Sequence, residues 1–131
     1  MYNGTLTSAF AQAGVIALLE DHAGAQAYSR NCANILSDRG RTAAKGLNAI
    51  PGLSCVPPDG GWWFLVDHRE VEPDDSKFAH YLLVEANVAV TPMGTWGPST
   101  AVGHVRVIFS NEPVKRLSEA VDRVAAAVAK L

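Results

Sequence analysis

The chain has 131 residues, 48% hydrophobic and 18% charged, which is the size and composition of one globular domain rather than of a disordered or fibrous protein. Eleven basic and thirteen acidic residues give a formal charge of −2, so the charge balance favours neither a nucleic-acid partner nor an anionic membrane surface. No apolar run reaches the ~18–20 residues that span a bilayer, and the N-terminus lacks a secretory signal, so we expect a cytoplasmic protein.

The first third of the chain has the apolar periodicity of helices. Thr7 or Ser8 is a suitable N-cap for a helix that runs towards His22, and Gly24 predicts a bend after it. Apolar residues then recur at helical spacing over residues 28–50, with polar and charged residues between them, which predicts a long amphipathic helix. A Pro-Gly pair ends this helix.

Beyond this point the apolar pattern changes to that of strands. Four short apolar runs of β-favouring composition predict strands: residues 53–56, 62–66, 88–90 and 105–109. The Pro- and Gly-rich segment 57–61 joins the first two runs and predicts a β-hairpin, and residues 67–73 predict a solvated, charged loop. Residues 74–76 cap a third helix that ends near Asn87, and a last amphipathic helix covers residues 114–131.

The predicted elements occur in the order helix, helix, strand, strand, helix, strand, strand, helix. Helices of this amphipathicity bury one stripe of side chains against a sheet. We therefore expect an α+β fold, a two-layer sandwich in which amphipathic helices cover a small, mostly antiparallel sheet.

Arg106 is the residue with the clearest chemical meaning, because it lies inside an apolar strand. Strand alternation places it on the opposite face from Val105 and Val107. A guanidinium that leaves water needs an anionic partner, and its planar fork matches a carboxylate through two parallel hydrogen bonds. Arg106 is therefore a candidate for binding a ligand carboxylate. The alternatives are an internal salt bridge to one of the acidic residues or a solvated sheet face.

The segment 91–103 is a long loop for a compact domain, and loops of this length are more typical of functional than of connecting segments. It contains three glycines and two prolines around Met93 and Trp96. Such a loop either lines a ligand site or packs Trp96 as a lid on the core. The sequence has no phosphate-binding glycine motif and no serine nucleophile elbow, and its cysteines and histidines lack metal-ligand spacing, so we expect no metal site.

With these residues identified, the sequence resembles the C-terminal small domain of the class I and II aminotransferases, which are fold-type I enzymes dependent on pyridoxal phosphate. The resemblance extends over essentially the whole chain. It is carried by Gln12 in the first helix and by residues 51–52, 58–64, 88–97 and 104–109. Met93 ahead of Gly94, and Trp96 in place of phenylalanine, depart from the family pattern and imply a changed wall of the substrate pocket.

The resemblance implies a substrate site built around Arg106, which corresponds to the arginine that binds the α-carboxylate of the amino-acid substrate. Trp96 and Gly94 correspond to positions that line this site. Tyr2 and Asn3 correspond to a segment near the cofactor of the neighbouring subunit, since members of the family are homodimers. The implied reaction of the intact enzyme is amino-group transfer between an amino acid and a 2-oxo acid.

The lysine that carries pyridoxal phosphate in this family has no counterpart here. Four lysines are present, and none stands in a Ser-x-x-Lys-like segment: Lys45, Lys77, Lys115 and Lys130. We therefore expect a fragment, with residues 1–6 as a connector from a missing large domain and residues 7–131 as the small domain. Such a fragment contains no catalytic residue, binds no cofactor covalently and is inactive alone. The alternative is a free-standing α+β module that binds a small carboxylate without catalysis.

Overall fold

The computed structural model describes residues 8–97 and 101–131. Its elements in chain order are α1 (Ala9–Glu20), α2 (His22–Leu47), β1 (Trp63–Asp67), α3 (Asp75–Tyr81), β2 (Thr91–Pro92), β3 (His104–Ile108) and α4 (Val114–Val128). One π-helical turn, Leu82–Ala86, continues α3. None of the helices in the described ranges is long and apolar enough to cross a membrane. The three strands form an antiparallel sheet in the order β1–β3–β2, and the predicted α+β fold is confirmed.

The chain divides into two units, one up to Asn34 and the other comprising Ile35–Leu131. In the first unit, α1 has no buried residue along its described length, although its sequence is mostly apolar. The predicted bend at Gly24 is wrong, because α2 already begins at His22. The break lies at Asp21, whose carboxylate accepts a hydrogen bond of 2.9 Å from the Gly24 N–H and so satisfies a free donor of the first turn.

The C-terminal half of α2 belongs to the second unit and packs against its core through small residues. Ala43 and Ala44 are buried. At Gly40, a Cβ atom would lie 2.8 Å from Cγ of Pro58 and 3.3 Å from the ring of Phe109. The glycine therefore allows the helix to approach these two rings more closely than any larger residue would.

The segment predicted as the first strand of a hairpin contributes only one bridge to the sheet. Ser54 and Asp67 exchange two backbone hydrogen bonds, of 3.0 and 2.8 Å, and the rest of residues 53–56 has no strand partner in the described part of the chain. β1 pairs instead with β3, beginning with Trp63 opposite Ile108. The predicted hairpin is therefore wrong: residues 53–56 meet β1 only at this bridge, on the edge away from β3, and the continuous pairing of β1 is with β3.

The predicted strand over residues 88–90 is also wrong. Asn87 adopts a left-handed conformation with φ of 52°, and the Val88 N–H donates a hydrogen bond of 3.1 Å to the Leu82 carbonyl, which closes the π-helical turn. Two valines of this segment pack against the core, but pairing with β3 begins only at Thr91.

The core of the second unit lies against one face of the sheet. Its larger buried side chains come from α2, β1, α3, the π-helical turn, β3, α4 and two connecting segments: Leu47, Ile50, Leu53, Phe64, Val66, Phe78, Leu82, Val105, Phe109, Leu117 and Val124. Each large apolar side chain that leaves water stabilises the fold by about 1.5–3 kcal/mol before entropy is considered. This shared cluster joins the helices to the strands on that face of the sheet.

Candidate functional site

Arg106 occupies the middle of β3, which is the central strand of the sheet. Leu65 of β1 lies opposite it on one side, and Thr91 of β2 lies opposite it on the other. Adjacent residues of a strand point to opposite faces, and Val105 is buried in the core. The Arg106 side chain therefore lies on the face away from the core, as the alternation predicts.

On this face the Arg106 guanidinium contacts a hydroxyl and two indoles. Nη2 donates a hydrogen bond of 3.4 Å to Oγ1 of Thr91. Cζ lies 4.8 Å from the ring centroid of Trp96 and 5.8 Å from that of Trp63, distances at which a cation is attracted to an aromatic face. Nε is buried and has no hydrogen-bond partner among the described residues.

Within the described ranges, no carboxylate pairs with the Arg106 guanidinium. All thirteen acidic side chains lie in the described ranges, and none of them forms an ion pair or hydrogen bond with Arg106 there. The internal salt bridge considered from the sequence is therefore absent from this part of the chain. A half-buried guanidinium with free donors favours an anion from outside the chain, and a carboxylate matches the geometry of its fork.

Trp96 covers Arg106 rather than the core. Trp96 is 61% exposed, so the alternative prediction that its side chain packs as a lid on the core is wrong. The turn that carries it is closed by a hydrogen bond of 2.9 Å from the Trp96 N–H to the Met93 carbonyl. The Met93 N–H donates in turn to the His104 carbonyl at 3.1 Å, which ties the turn to β3. Residues 98–100 of the same loop lie outside the described residues.

Gly94 lies in this turn and contacts α3. Its N–H donates a hydrogen bond to Oδ2 of Asp75. A Cβ atom at this position would lie 2.8 Å from the same oxygen, so the close approach depends on glycine. The structure thus places Gly94 and Trp96 in one turn beside Arg106.

Sequence reasoning misses three residues of this site. Thr91 and Trp63 lie near the Arg106 guanidinium because β2 and β1 pair with its strand, and that pairing joins distant segments. Once the register is known, counting alternate positions along β1 finds Trp63. The available signal for Asp75 is a second acidic residue directly after Asp74, which caps α3.

A cluster of charged residues and a buried histidine lies at the end of β1. The guanidinium of Arg69 hydrogen-bonds to Asp67, with 3.0 Å between Nε and Oδ1, and holds the pKa of that carboxyl down at about 2. His68 is fully buried against Phe78, and its Nδ1 lies 2.5 Å from the Glu72 carbonyl oxygen, to which it donates. The prediction of a solvated loop is therefore wrong at His68, and burial lowers the pKa of its imidazole.

The lysines of the chain do not fit the covalent attachment of pyridoxal phosphate, the cofactor of the enzymes that the sequence resembles. A lysine that forms a Schiff base is activated by burial of its amine or by a neighbouring cation. The four lysines of the chain are instead exposed, on helices or at a helix end: Lys45, Lys77, Lys115 and Lys130. Three of them make surface ion pairs with neighbouring acids. Tyr2 and Asn3 lie outside the described residues. The site around Arg106 is thus suited to a carboxylate, and nothing described here would hold pyridoxal phosphate covalently.

Comparisons with known proteins identify aminotransferases both by sequence and by structure. A family model described as "Aminotransferase class I and II" matches residues 1–124. The aspartate aminotransferase of Rhizobium meliloti is 30% identical over 134 residues, which cover 95% of this chain and 31% of that protein. The aspartate/prephenate aminotransferase of Thermus thermophilus is 40% identical over 81 residues, which cover 62% of this chain and 20% of that protein.

A similar relationship holds in three dimensions. The solved structure of an aromatic aminotransferase from Pyrococcus horikoshii matches with a TM-score of 0.85 and 28% identity, covering 99% of this chain and 34% of that one. The chain therefore spans about a third of the length of such relatives. These matches give no support to a free-standing carboxylate-binding module.

Proposed function

The chain belongs to the class I and II aminotransferase family, and from that premise we propose that it is the C-terminal small domain of such an enzyme, with Arg106 binding the α-carboxylate of the substrate. In this proposal residues 7–131 form the domain and residues 1–6 connect it to a large domain. The observation that carries the proposal is the half-buried Arg106 guanidinium in the central strand, which has no acidic partner in the described part of the chain.

The proposed reaction of the intact enzyme is amino-group transfer between an amino acid and a 2-oxo acid, for which bound pyridoxal phosphate supplies the electron sink. The contribution of this chain is to bind and orient the substrate. Two parallel hydrogen bonds from the Arg106 fork would fix the plane of the substrate carboxylate and hence the direction of the bonds at Cα. Trp96 and Trp63 flank the guanidinium and limit the directions from which a carboxylate approaches.

The rest of the active site comes, in this proposal, from outside the described residues. The large domain supplies the lysine and the phosphate-binding groups, and Tyr2 and Asn3 face the cofactor of the neighbouring subunit of a homodimer. Two observations support this division. The lysines of this chain are exposed, and the relatives it matches are about three times as long.

A ligand titration of the isotope-labelled 131-residue chain tests the role of Arg106. Sodium pyruvate, a small 2-oxo acid, is added at constant ionic strength while amide and indole signals are followed by NMR. We expect saturable shifts at Arg106 and Trp96. Arg106→Ala should abolish them, because it removes a charge-assisted bidentate contact worth roughly 2–4 kcal/mol. Arg106→Lys should recover little, since an ammonium does not reproduce the fork.

Arg116→Ala is the matched control for this titration. Arg116 lies on α4, is largely exposed and pairs with Glu112 at 3.2 Å, so its loss removes one positive charge without touching the site. This variant should bind pyruvate like the unmodified chain. If Arg106→Ala binds pyruvate as tightly as Arg116→Ala, Arg106 is not the carboxylate site and the proposal is wrong.

A further inference from the structure

We propose that Asp75 is a positioning residue for the carboxylate site: its side chain fixes the Gly94 backbone and thereby holds the Trp96 indole on the Arg106 guanidinium. The inference rests on the proposed function of Arg106. It adds to the site a residue of α3 whose described hydrogen bond goes to the turn rather than to the guanidinium.

Asp75 and Gly94 approach each other more closely than a residue with a side chain would allow at position 94. Asp75 accepts the hydrogen bond of the Gly94 N–H through Oδ2, in a partly buried position. A Cβ atom at Gly94 would lie 2.8 Å from Oδ2 and 2.9 Å from Oδ1, which is a steric clash. The glycine therefore serves the close approach of the backbone to this carboxylate.

The turn that carries Trp96 is held at two points. On the side of β3, the Met93 N–H donates to the His104 carbonyl at 3.1 Å. On the side of α3, the Gly94 N–H donates to Asp75. The Trp96 indole is mostly exposed, so core packing contributes little to its placement. Its position over the guanidinium follows from where these two hydrogen bonds hold the backbone.

The carboxylate of Asp75 is not needed to begin α3, because its neighbour caps the helix. Asp74 is the N-cap and accepts a hydrogen bond of 3.0 Å from the Lys77 N–H. Asp75 is the first residue of the helix, and its carboxylate is directed to the turn instead. The two adjacent acids therefore have different roles: Asp74 caps α3, and Asp75 binds the backbone of the turn that carries Trp96.

Positioning of this kind raises affinity without a contact to the ligand. An arginine side chain has many rotamers, and binding must select one of them. An indole fixed against the Arg106 guanidinium already restricts its rotamers in the free chain, so less conformational entropy is lost when the ligand binds. Without the Asp75 anchor, the turn and the guanidinium would have to be ordered during binding.

NMR of the isotope-labelled 131-residue chain tests the proposal with Asp75→Ala, Asp75→Asn and Asp74→Ala, using pyruvate as the probe. Asp75→Ala should move the Gly94 amide signal, remove the NOE between the Trp96 ring and the Arg106 side chain, and weaken pyruvate binding by about 2- to 5-fold. Asp75→Asn keeps an acceptor oxygen and should retain the NOE and most of the affinity. Asp74→Ala should lower Tm and leave the NOE intact.

The proposal is overturned if Asp75→Ala keeps either the NOE or the affinity of the unmodified chain, or if Asp74→Ala loses both to the same extent. In Gly94→Ala the added Cβ atom clashes with the Asp75 carboxylate and should break the same hydrogen bond. This variant should therefore also lose the NOE and bind pyruvate more weakly, and it replaces Asp75→Ala if that variant does not fold. The two proposals fail separately. Unchanged pyruvate binding in Arg106→Ala rejects the carboxylate site itself, whereas an effect of Arg106→Ala without one of Asp75→Ala rejects only the positioning role.

Discussion

The imidazole of His68 stacks on the ring of Phe78, with the ring centroids 4.3 Å apart and an interplanar angle of 17°. Both residues are fully buried. Nδ1 donates to the Glu72 carbonyl, while Nε2 has no hydrogen-bond partner among the described residues. A proton added at Nε2 would create a buried charge without an acceptor, and burial accordingly lowers the pKa of His68.

This arrangement predicts that the chain loses stability as histidine titrates. An unfolded histidine binds a proton near its ordinary pKa of about 6.5, whereas folded His68 binds it only at lower pH. The unfolded state therefore binds more protons in this interval, and the free energy of unfolding decreases as the pH falls below about 6.5. Urea titrations at a series of pH values between about 7.5 and 5 measure the slope.

Two variants test whether His68 causes this pH dependence of the free energy of unfolding. His68→Phe keeps an aromatic ring on Phe78 and removes the titrating group, so its free energy of unfolding should vary less with pH. His80→Gln replaces an exposed histidine of α3 and should keep the slope of the unmodified chain. An undiminished slope in His68→Phe would assign the pH dependence to other groups.

Comparison of two tryptophan variants tests whether the contact with Arg106, rather than the loss of any exposed indole, affects ligand binding. Trp96 and Trp62 are 61% and 60% exposed, but only Trp96 stacks on the guanidinium. Trp96→Ala should weaken pyruvate binding by about 1 kcal/mol, or roughly fivefold, because the guanidinium loses the cation–π contact that orders it before the ligand binds. Trp62→Ala should leave the affinity unchanged in the same NMR titration. Equal losses in both variants would contradict the assigned role of Trp96.

Packing should outweigh helix propensity at Gly40. Alanine is a better helix former than glycine by about 1 kcal/mol. At this position, however, a Cβ atom would clash with Pro58 and crowd Phe109, so Gly40→Ala should lower the free energy of unfolding by about 1–3 kcal/mol. Gly14→Ala in α1 meets no atom within 4 Å and should show no such loss. Urea unfolding decides the point, and a stabilised Gly40→Ala chain would contradict the close packing described here.

The chain alone should form no site-specific covalent complex with pyridoxal phosphate. Its lysines are exposed, and an exposed ammonium gives only weak and scattered modification. Borohydride reduction of the mixture, followed by peptide mass analysis, should find low-level labelling spread over the four lysines. Stoichiometric reduction onto one lysine would mean that the chain contains a complete cofactor site.

Local sequence patterns were sufficient for much of the scaffold. The apolar spacing of residues 114–131 predicts a helix, and α4 lies there as Val114–Val128. The alternation around Arg106 predicts an outward-facing guanidinium in a strand, and β3 has this arrangement. Both outcomes depend on the side-chain period of the element, two residues in a strand and 3.6 in a helix. This period is a property of each element by itself and does not depend on which segment it packs against.

Only the tertiary structure decided which segments meet and which side chains leave water. Residues 53–56 have the composition of a strand, yet they contribute a single bridge to β1, whose continuous partner is the distant strand β3. His68 stands in a charged segment, yet its ring is in the core. Asp75 and Gly94 are 19 positions apart and come together only when the turn lies against α3. Strand partners, burial and such close approaches depend on contacts between residues far apart in the chain, which no local repeat specifies.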